Sequence, residues 1–134
     1  VYRYLGDIPR AEAACDAAIR LDPEDYETIG LRSSLRTFTP EDNHVDELRA
    51  REARGVKSWR GTVHLAYALA KEYEDLGRHA ESFECLRRGA GIKRRHTRYD
   101  LKDDLAIFPA IREAFSPARM SAPAEGHDAR APIF

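Results

Sequence analysis

The sequence predicts an all-α fold, an α-solenoid in which antiparallel helix pairs stack side by side. Two apolar stripes at helical spacing along the segment 59–76 lead to this prediction. The first stripe comprises Val63, Ala66, Tyr67, Ala70 and Tyr73, and the second comprises Leu65, Leu69 and Leu76. A helix with two apolar stripes must be covered on two sides, whereas a lone helical hairpin covers only one. The segment therefore requires stacked neighbours.

A short turn, Gly77-Arg78-His79, separates this helix from a second helix predicted over 80–95. We expect the second helix to bury Ala80, Phe83, Leu86 and Ala90, with Cys85 alongside. Gly89 stands where two helices in close contact need a small residue.

These residues resemble the tetratricopeptide repeat (TPR). The inter-helix turn and the start of the second helix are Leu76-Gly77-Arg78-His79-Ala80-Glu81-Ser82-Phe83. The pattern occurs earlier as Leu5-Gly6-Asp7-Ile8-Pro9-Arg10-Ala11-Glu12-Ala13, followed by Cys15, Ala18 and Leu21-Asp22-Pro23. The spacing of Gly6 and Gly77 fits two repeats of about 34 residues with a slightly longer loop. The resemblance implies a TPR-like α-solenoid, a right-handed superhelix of antiparallel helix pairs.

We expect the repeat domain to span 1–115 and to end in a C-terminal capping helix. Within it, 1–23 is the end of one repeat, 24–58 a degenerate repeat, 59–95 the best-formed repeat and 99–115 the capping helix. Residues 116–134 are rich in Pro, Ala and Ser, which predicts a linker toward a downstream domain missing from this chain. The chain opens on Val1 inside a helix-like pattern, so we expect a fragment of a longer protein.

The remaining helices are predicted from their boundary residues. One helix runs over 9–21, with Pro9 in its first turn, and a weaker one over 24–36. Thr39 as the N-cap and Pro40 at the first position predict a helix over 40–54. The last helix carries one apolar stripe, as a terminal cap requires, with a kink or break at Pro109. That stripe comprises Leu101, Leu105, Phe108, Ile111 and Phe115.

Composition indicates an ordinary soluble helical protein. The charged fraction is 34% and the net charge is −1, so the chain has no overall attraction to nucleic acid or anionic membrane. No apolar run reaches the ~20 residues of a membrane span, and no secretory signal is visible. We interpret Cys15 and Cys85 as reduced core cysteines, with a disulfide or redox pair as the alternative. Reduced cysteines lead us to expect a cytoplasmic protein. The TPR resemblance implies a protein or peptide partner, or its own downstream domain as partner, and leaves the oligomeric state open.

The sequence contains no pattern of catalytic, metal or cofactor chemistry, so we expect none of the three in this chain. The histidines His44, His64, His79, His96 and His127 show no ligand spacing. No phosphate-binding glycine loop follows a strand, and no nucleophile elbow occurs. Glu72, Glu74 and Asp75 form an acidic cluster that we expect to face water.

Two sets of residues are candidates for partner binding. In TPR arrays the first helix of each repeat lines the concave groove. The resemblance therefore implies that four residues of this helix face the groove and contact a partner: His64, Tyr67, Lys71 and Glu74. A carboxylate clamp like that of co-chaperone TPR domains is not expected, because Lys71 has no accompanying Asn in this helix. The second set is a basic patch of Arg87, Arg88, Lys93, Arg94 and Arg95. This patch is either a solvated helix end favoured by the helix dipole or a docking site for an anionic partner or adjoining domain.

A more specific resemblance covers residues 60–134. The segment 64–78, the run Leu86-Arg87-Arg88-Gly89-Ala90 and Tyr99-Asp100 are similar to the last repeat before the catalytic domain of bacterial TPR-containing sulfotransferases. Arg130-Ala131-Pro132-Ile133-Phe134 resembles the beginning of that domain's first strand. The resemblance implies a non-catalytic scaffold module in the N-terminal part of a larger sulfotransferase-like protein. The alternative is a free-standing TPR adaptor, and the coding sequence after Phe134 distinguishes the two.

Overall fold

The computed structural model describes residues 1–121, and these residues form helices and no strand. A 3₁₀ helix spans Tyr2–Leu5, followed by α1 (Ile8–Leu21), α2 (Tyr26–Ser33), α3 (Val45–Ala53), α4 (Trp59–Asp75), α5 (His79–His96), α6 (Leu101–Ala114) and α7 (Pro117–Met120). An isolated bridge joins Thr39 and Asp42. The all-α prediction is confirmed.

The chain divides into two compact units, Val1–Arg98 and Tyr99–Phe134. In the first unit α1 packs on α2, α2 and α3 pack on α4, and α4 packs on α5. Helix α4 thus contacts α2, α3 and α5, and α2 contacts both α1 and α4. This is the packing of a TPR-like α-solenoid.

Helix α4 is covered on both sides, as its two stripes predicted. Ala66, Leu69 and Tyr73 are at most 2% exposed. The second stripe packs into the same core through Leu65 and Leu69, together with Ile29, Val45 and Leu48 from α2 and α3. A smaller cluster of Ala11, Cys15 and Leu35 joins α1 to the end of α2.

The two glycine turns that suggested a repeat share one hydrogen-bond pattern. Gly6 and Gly77 have φ of 73° and 71°, a left-handed conformation that glycine adopts without strain. At the first turn Gly6 N donates to Arg3 O and Asp7 N to Tyr2 O. At the second turn Gly77 N donates to Glu74 O and Arg78 N to Tyr73 O. Both are Schellman motifs, which satisfy the last carbonyls of a helix.

The buried face of α5 differs from the predicted one. Ser82, Cys85 and Gly89 face α4 and are buried, whereas Phe83 is 63% and Leu86 43% exposed. Ala80 and Ala90 are exposed too. The prediction was wrong because α5 has two faces that each carry apolar or small residues. The smaller face allows the closer approach, since a Cβ on Gly89 would lie 2.7 Å from Tyr67 Cε1.

Helix α3 begins at Val45, five residues later than predicted. Thr39 and Asp42 exchange both of their backbone hydrogen bonds at 3.1 Å. The Asn43 amide donates to the carbonyls of Thr39 and Pro40 at 3.0 Å. These bonds occupy the carbonyls that a helix starting at Pro40 would use, and the segment forms a tight turn instead.

Helix α6 runs through Pro109 without a break, and a kink there, the other predicted outcome, stays a prediction. Asp100 caps it by accepting a hydrogen bond from Lys102 N at 2.9 Å. None of its residues is buried. Its predicted role as a cap stays a prediction, as does the linker over 116–134, most of which lies outside the described residues.

Replacing Gly89 by Ala should destabilise the protein by ~1–3 kcal/mol, because the new methyl group overpacks the contact with Tyr67 and Ala66. The matched control is Gly91→Ala in the same helix, where the nearest group is the Arg95 guanidinium at 3.8 Å. That change should stabilise by about 1 kcal/mol, the ordinary advantage of Ala over Gly in a helix. Urea unfolding followed by circular dichroism measures both. Shifts of the same sign for the two variants would contradict the close α4–α5 approach.

Candidate functional site

A groove of about 390 Å³ lies between α2 and α4, the first helices of two successive pairs. It is lined by Glu27, Gly30, Leu31, Ser34, His64, Tyr67, Ala68 and Lys71. Three of the four predicted groove residues, His64, Tyr67 and Lys71, therefore lie together. Glu74 is exposed and is not among the residues that line this groove.

Lys71 is held by contacts within the chain. Its Nζ donates to the backbone carbonyl of Arg36 and pairs with the Asp75 carboxylate. Asp75 also accepts a hydrogen bond from Phe38 N at 3.0 Å. The Lys71 charge is thus compensated before any partner arrives, which weakens it as an anchor for a carboxylate.

A buried carboxylate lies on the opposite side of α4 from Glu74. Glu72 is 0% exposed, contrary to the expectation that it faces water. Its carboxylate accepts hydrogen bonds from Ser33 Oγ at 2.6 Å and from His44 N at 2.6 Å, and His44 Nδ1 lies 3.1 Å away. The sequence gives no hint of this role, because the partners come from α2 and from the turn before α3.

The hydrogen bonds determine the charge state of this carboxylate. Burial acts to raise the pKa of Glu72, but the bonds from His44 and Ser33 outweigh it, so the pKa is lowered. Glu72 is therefore ionised at neutral pH and joins α2, α3 and α4. The cluster is not arranged for nucleophilic catalysis, because Ser33 is fully buried and donates to the carboxylate rather than to the imidazole.

A second charged cluster joins α1, α2 and α3. The Arg32 side chain is 6% exposed and bonds Asp16 at 2.9 Å and Glu47 at 2.7 Å. Burial acts to raise the pKa of Glu47, but the bonds from Arg32 and Arg51 outweigh it and the pKa is lowered. Among the described residues, Arg32 Nε is a buried side-chain atom without a hydrogen-bond partner. The sequence does not reveal this cluster, since isolated charges on three helices carry no joint pattern.

The five predicted basic residues do not share one face of α5. Arg87 pairs with Glu84 at 2.7 Å, and Arg88 pairs with Glu52 of α3. Lys93 instead lines a pocket with Trp59 and Arg60 at the start of α4. Arg94 and Arg95 are exposed in the last turn, where cations interact favourably with the helix dipole. The docking role of the set stays a prediction.

The geometry of α4, the Gly77 turn and α5 is that of one helical repeat, and a comparison with protein families agrees. Residues 63–96 match the family model of the tetratricopeptide repeat. The match begins one turn into α4 and ends with α5. No curated protein and no solved structure matches the chain. The two cysteines are buried and free, and none of the described helices could cross a membrane.

Replacing Glu72 by Gln should lower the free energy of unfolding by ~1–3 kcal/mol at pH 7. The reason is that Ser33 Oγ and His44 N lose the charged carboxylate to which they donate. The sign of the pH dependence follows from the lowered pKa of Glu72. Stability from its ionised form is present above the unfolded-state pKa and is lost as the pH falls through the folded-state pKa. The difference between wild type and variant should therefore shrink at acidic pH. Denaturant unfolding between pH 7 and pH 3 measures this.

The control for this experiment is Glu74→Gln, which alters an exposed carboxylate on the same helix. Its stability should stay within about 0.5 kcal/mol of wild type at every pH. A gap between wild type and Glu72→Gln that stays constant from pH 7 to pH 3 would show that the Glu72 charge does not contribute.

Proposed function

We propose that this protein is a non-catalytic interaction module that binds a segment of a partner protein in the groove between α2 and α4. The supporting observation is that His64, Tyr67 and Lys71 line one groove with Leu31 and Ser34. TPR repeats generally bind proteins or peptides, and the matching repeat supplies one wall of this groove.

The dimensions of the groove suit a short extended peptide. Its α2 wall runs from Glu27 to Ser34, which corresponds to about 10 Å at 1.5 Å per helical residue. About three residues of an extended chain cover that distance. The exposed Leu31 side chain and the half-buried Tyr67 ring offer apolar surface, while Ser34 and His64 offer hydrogen-bond partners. We infer a peptide of mixed polarity and not one held by its terminal carboxylate, because Lys71 is already paired.

We further propose that the module belongs to a larger bacterial sulfotransferase-like protein in the cytoplasm. This proposal rests on the resemblance of residues 60–134, and its last part, 130–134, lies outside the described residues. Free cysteines suit a reducing compartment. The coding sequence beyond Phe134 tests the proposal: a strand followed by a phosphate-binding loop supports it, and a stop codon favours a free-standing adaptor.

The groove proposal predicts that Leu31→Arg weakens peptide binding at least fivefold without unfolding the protein. Peptides of 12 residues would be selected from a displayed library on the full chain, and their affinities measured by fluorescence anisotropy. Truncation or blocking of an interface anchor commonly costs more than about 1 kcal/mol, so binding should weaken at least fivefold. Leu31 is 39% exposed, and its replacement should leave the melting temperature nearly unchanged.

Leu21→Arg is the matched control, since Leu21 is 89% exposed at the end of α1 and away from the groove. It should bind the selected peptides with wild-type affinity. The groove proposal fails if no peptide is selected, or if the two arginine variants bind equally well.

A further inference from the structure

The outward face of α5 carries apolar side chains that the first unit leaves exposed. Phe83, Leu86 and Ala90 are spaced three and four residues apart, so they lie on one helix face. Together with Tyr67 of α4 and Arg87 they line a groove of about 430 Å³. Phe83 is 63% exposed and Leu86 is 43% exposed. Contiguous exposed apolar surface of this kind marks interaction sites.

This groove continues into a second pocket with a different chemistry. Tyr67 lines both, and the second pocket, of about 260 Å³, adds Trp59, Arg60, Val63, His64 and Lys93. Among the described residues that line either pocket, none carries a carboxylate. Arg87, which lines the first pocket, pairs with Glu84 at 2.7 Å, so its charge is compensated. One end of the surface is therefore apolar and the other is cationic.

Trp59 is held in place at the cationic end. Its ring stacks on His96 with centroids 4.6 Å apart and planes 8° from parallel. The Arg60 guanidinium lies 4.7 Å from the ring centroid, within the range of a cation–π contact. The Trp59 ring is therefore fixed in position, and the cations beside it can pair with an anionic group of a ligand.

We propose that this α4/α5 groove docks an amphipathic segment of a partner protein that carries carboxylates at one end and bulky apolar side chains at the other. The carboxylates meet Arg60 and Lys93, and the apolar side chains cover Phe83 and Leu86. Charge complementarity selects the acidic partner and fixes the direction in which it lies. This surface adjoins the α2/α4 groove, with which it shares His64 and Tyr67. The residues that the proposal uses, Arg60, Lys93, Phe83 and Leu86, do not line that groove, so the proposal does not depend on peptide binding there.

The spacing between the two ends defines the partner more closely. Phe83 and Lys93 are ten residues apart in α5, which corresponds to about 15 Å along the helix axis. A partner helix must therefore separate its acidic and apolar residues by about ten positions. Because surface charges are screened by salt, binding should weaken as the ionic strength rises.

The test uses the fluorescence of Trp59, the single tryptophan of the sequence. The probe is an 18-residue helix-forming peptide without tryptophan that carries Glu at positions 4 and 5, Leu at 12 and Phe at 15, all on one helix face. Titration into the full chain should change the Trp59 emission and give a saturable curve. A peptide with Lys at positions 4 and 5 should bind at least tenfold more weakly.

Substitutions in the chain test whether the peptide binds at this surface and not elsewhere. Leu86→Glu should weaken binding of the acidic peptide at least tenfold, whereas Leu21→Glu, a control on α1, should leave it within twofold. Lys93→Glu should reverse the preference toward the lysine peptide. Melting curves establish that each variant is folded, and the charge reversal is a gain of binding that misfolding cannot produce.

Three results would overturn the proposal. The first is the absence of saturable binding by the acidic peptide, and the second is equal binding by the Leu86→Glu and Leu21→Glu variants. The third is a single-stranded oligonucleotide that changes Trp59 emission at lower concentration than the peptide. Because Leu31 does not line the α4/α5 groove, these results leave the α2/α4 proposal to its own test.

Discussion

The burial of α4 on two sides is the constraint on which the first unit depends. Its apolar side chains point in directions too far apart for one neighbouring helix to cover, so α2 and α3 pack on one side and α5 on the other. Leu69 is 0% exposed and Tyr73 2% exposed, which shows how completely water is excluded. Burial of such residues provides the main favourable free energy of folding. The two grooves lie beside α4, one along its contact with α2 and the other along its contact with α5.

The polar groups inside this packing determine which helices meet and in what register. Glu72 accepts hydrogen bonds from α2 and from the turn before α3, and Arg32 bonds carboxylates on α1 and α3. A buried charge without its partners would be strongly unfavourable. Alternative packings that bury the same apolar area would separate these partners. The two clusters thus give the short helices α2 and α3 a defined position that their modest apolar content does not supply.

Two grooves with different chemistry flank α4, and Tyr67 lines both. Toward α2 the walls mix a leucine with hydroxyl, imidazole and carboxylate groups. Toward α5 the walls are apolar near Phe83 and cationic near Lys93. One helix therefore supplies a wall of each groove, and His64 and Tyr67 lie where the two surfaces adjoin. Such surfaces suit an interaction module, whose task is to bring separate chains together.

The sequence by itself determined the helical class, the two glycine turns and the extent of α4, since each depends on local spacing or on backbone conformation. Helical periodicity locates an apolar stripe, and only glycine readily takes the left-handed φ at Gly6 and Gly77. The spacing of His64, Tyr67 and Lys71 also puts these residues on one helix face, and the TPR resemblance implied that this face lines a groove; their role in binding stays a prediction.

Tertiary structure alone decided which face of α5 is buried, where α3 begins and what Glu72 does. Both faces of α5 are plausible until Gly89 meets Tyr67, and Phe83 then points away. The late start of α3 and the burial of Glu72 arise together, because His44 N donates to that carboxylate. Partners that lie 28 and 39 residues apart in the chain leave no local signal. Long-range contacts of this kind are chosen by three-dimensional fit, to which neither periodicity nor local conformational preference refers.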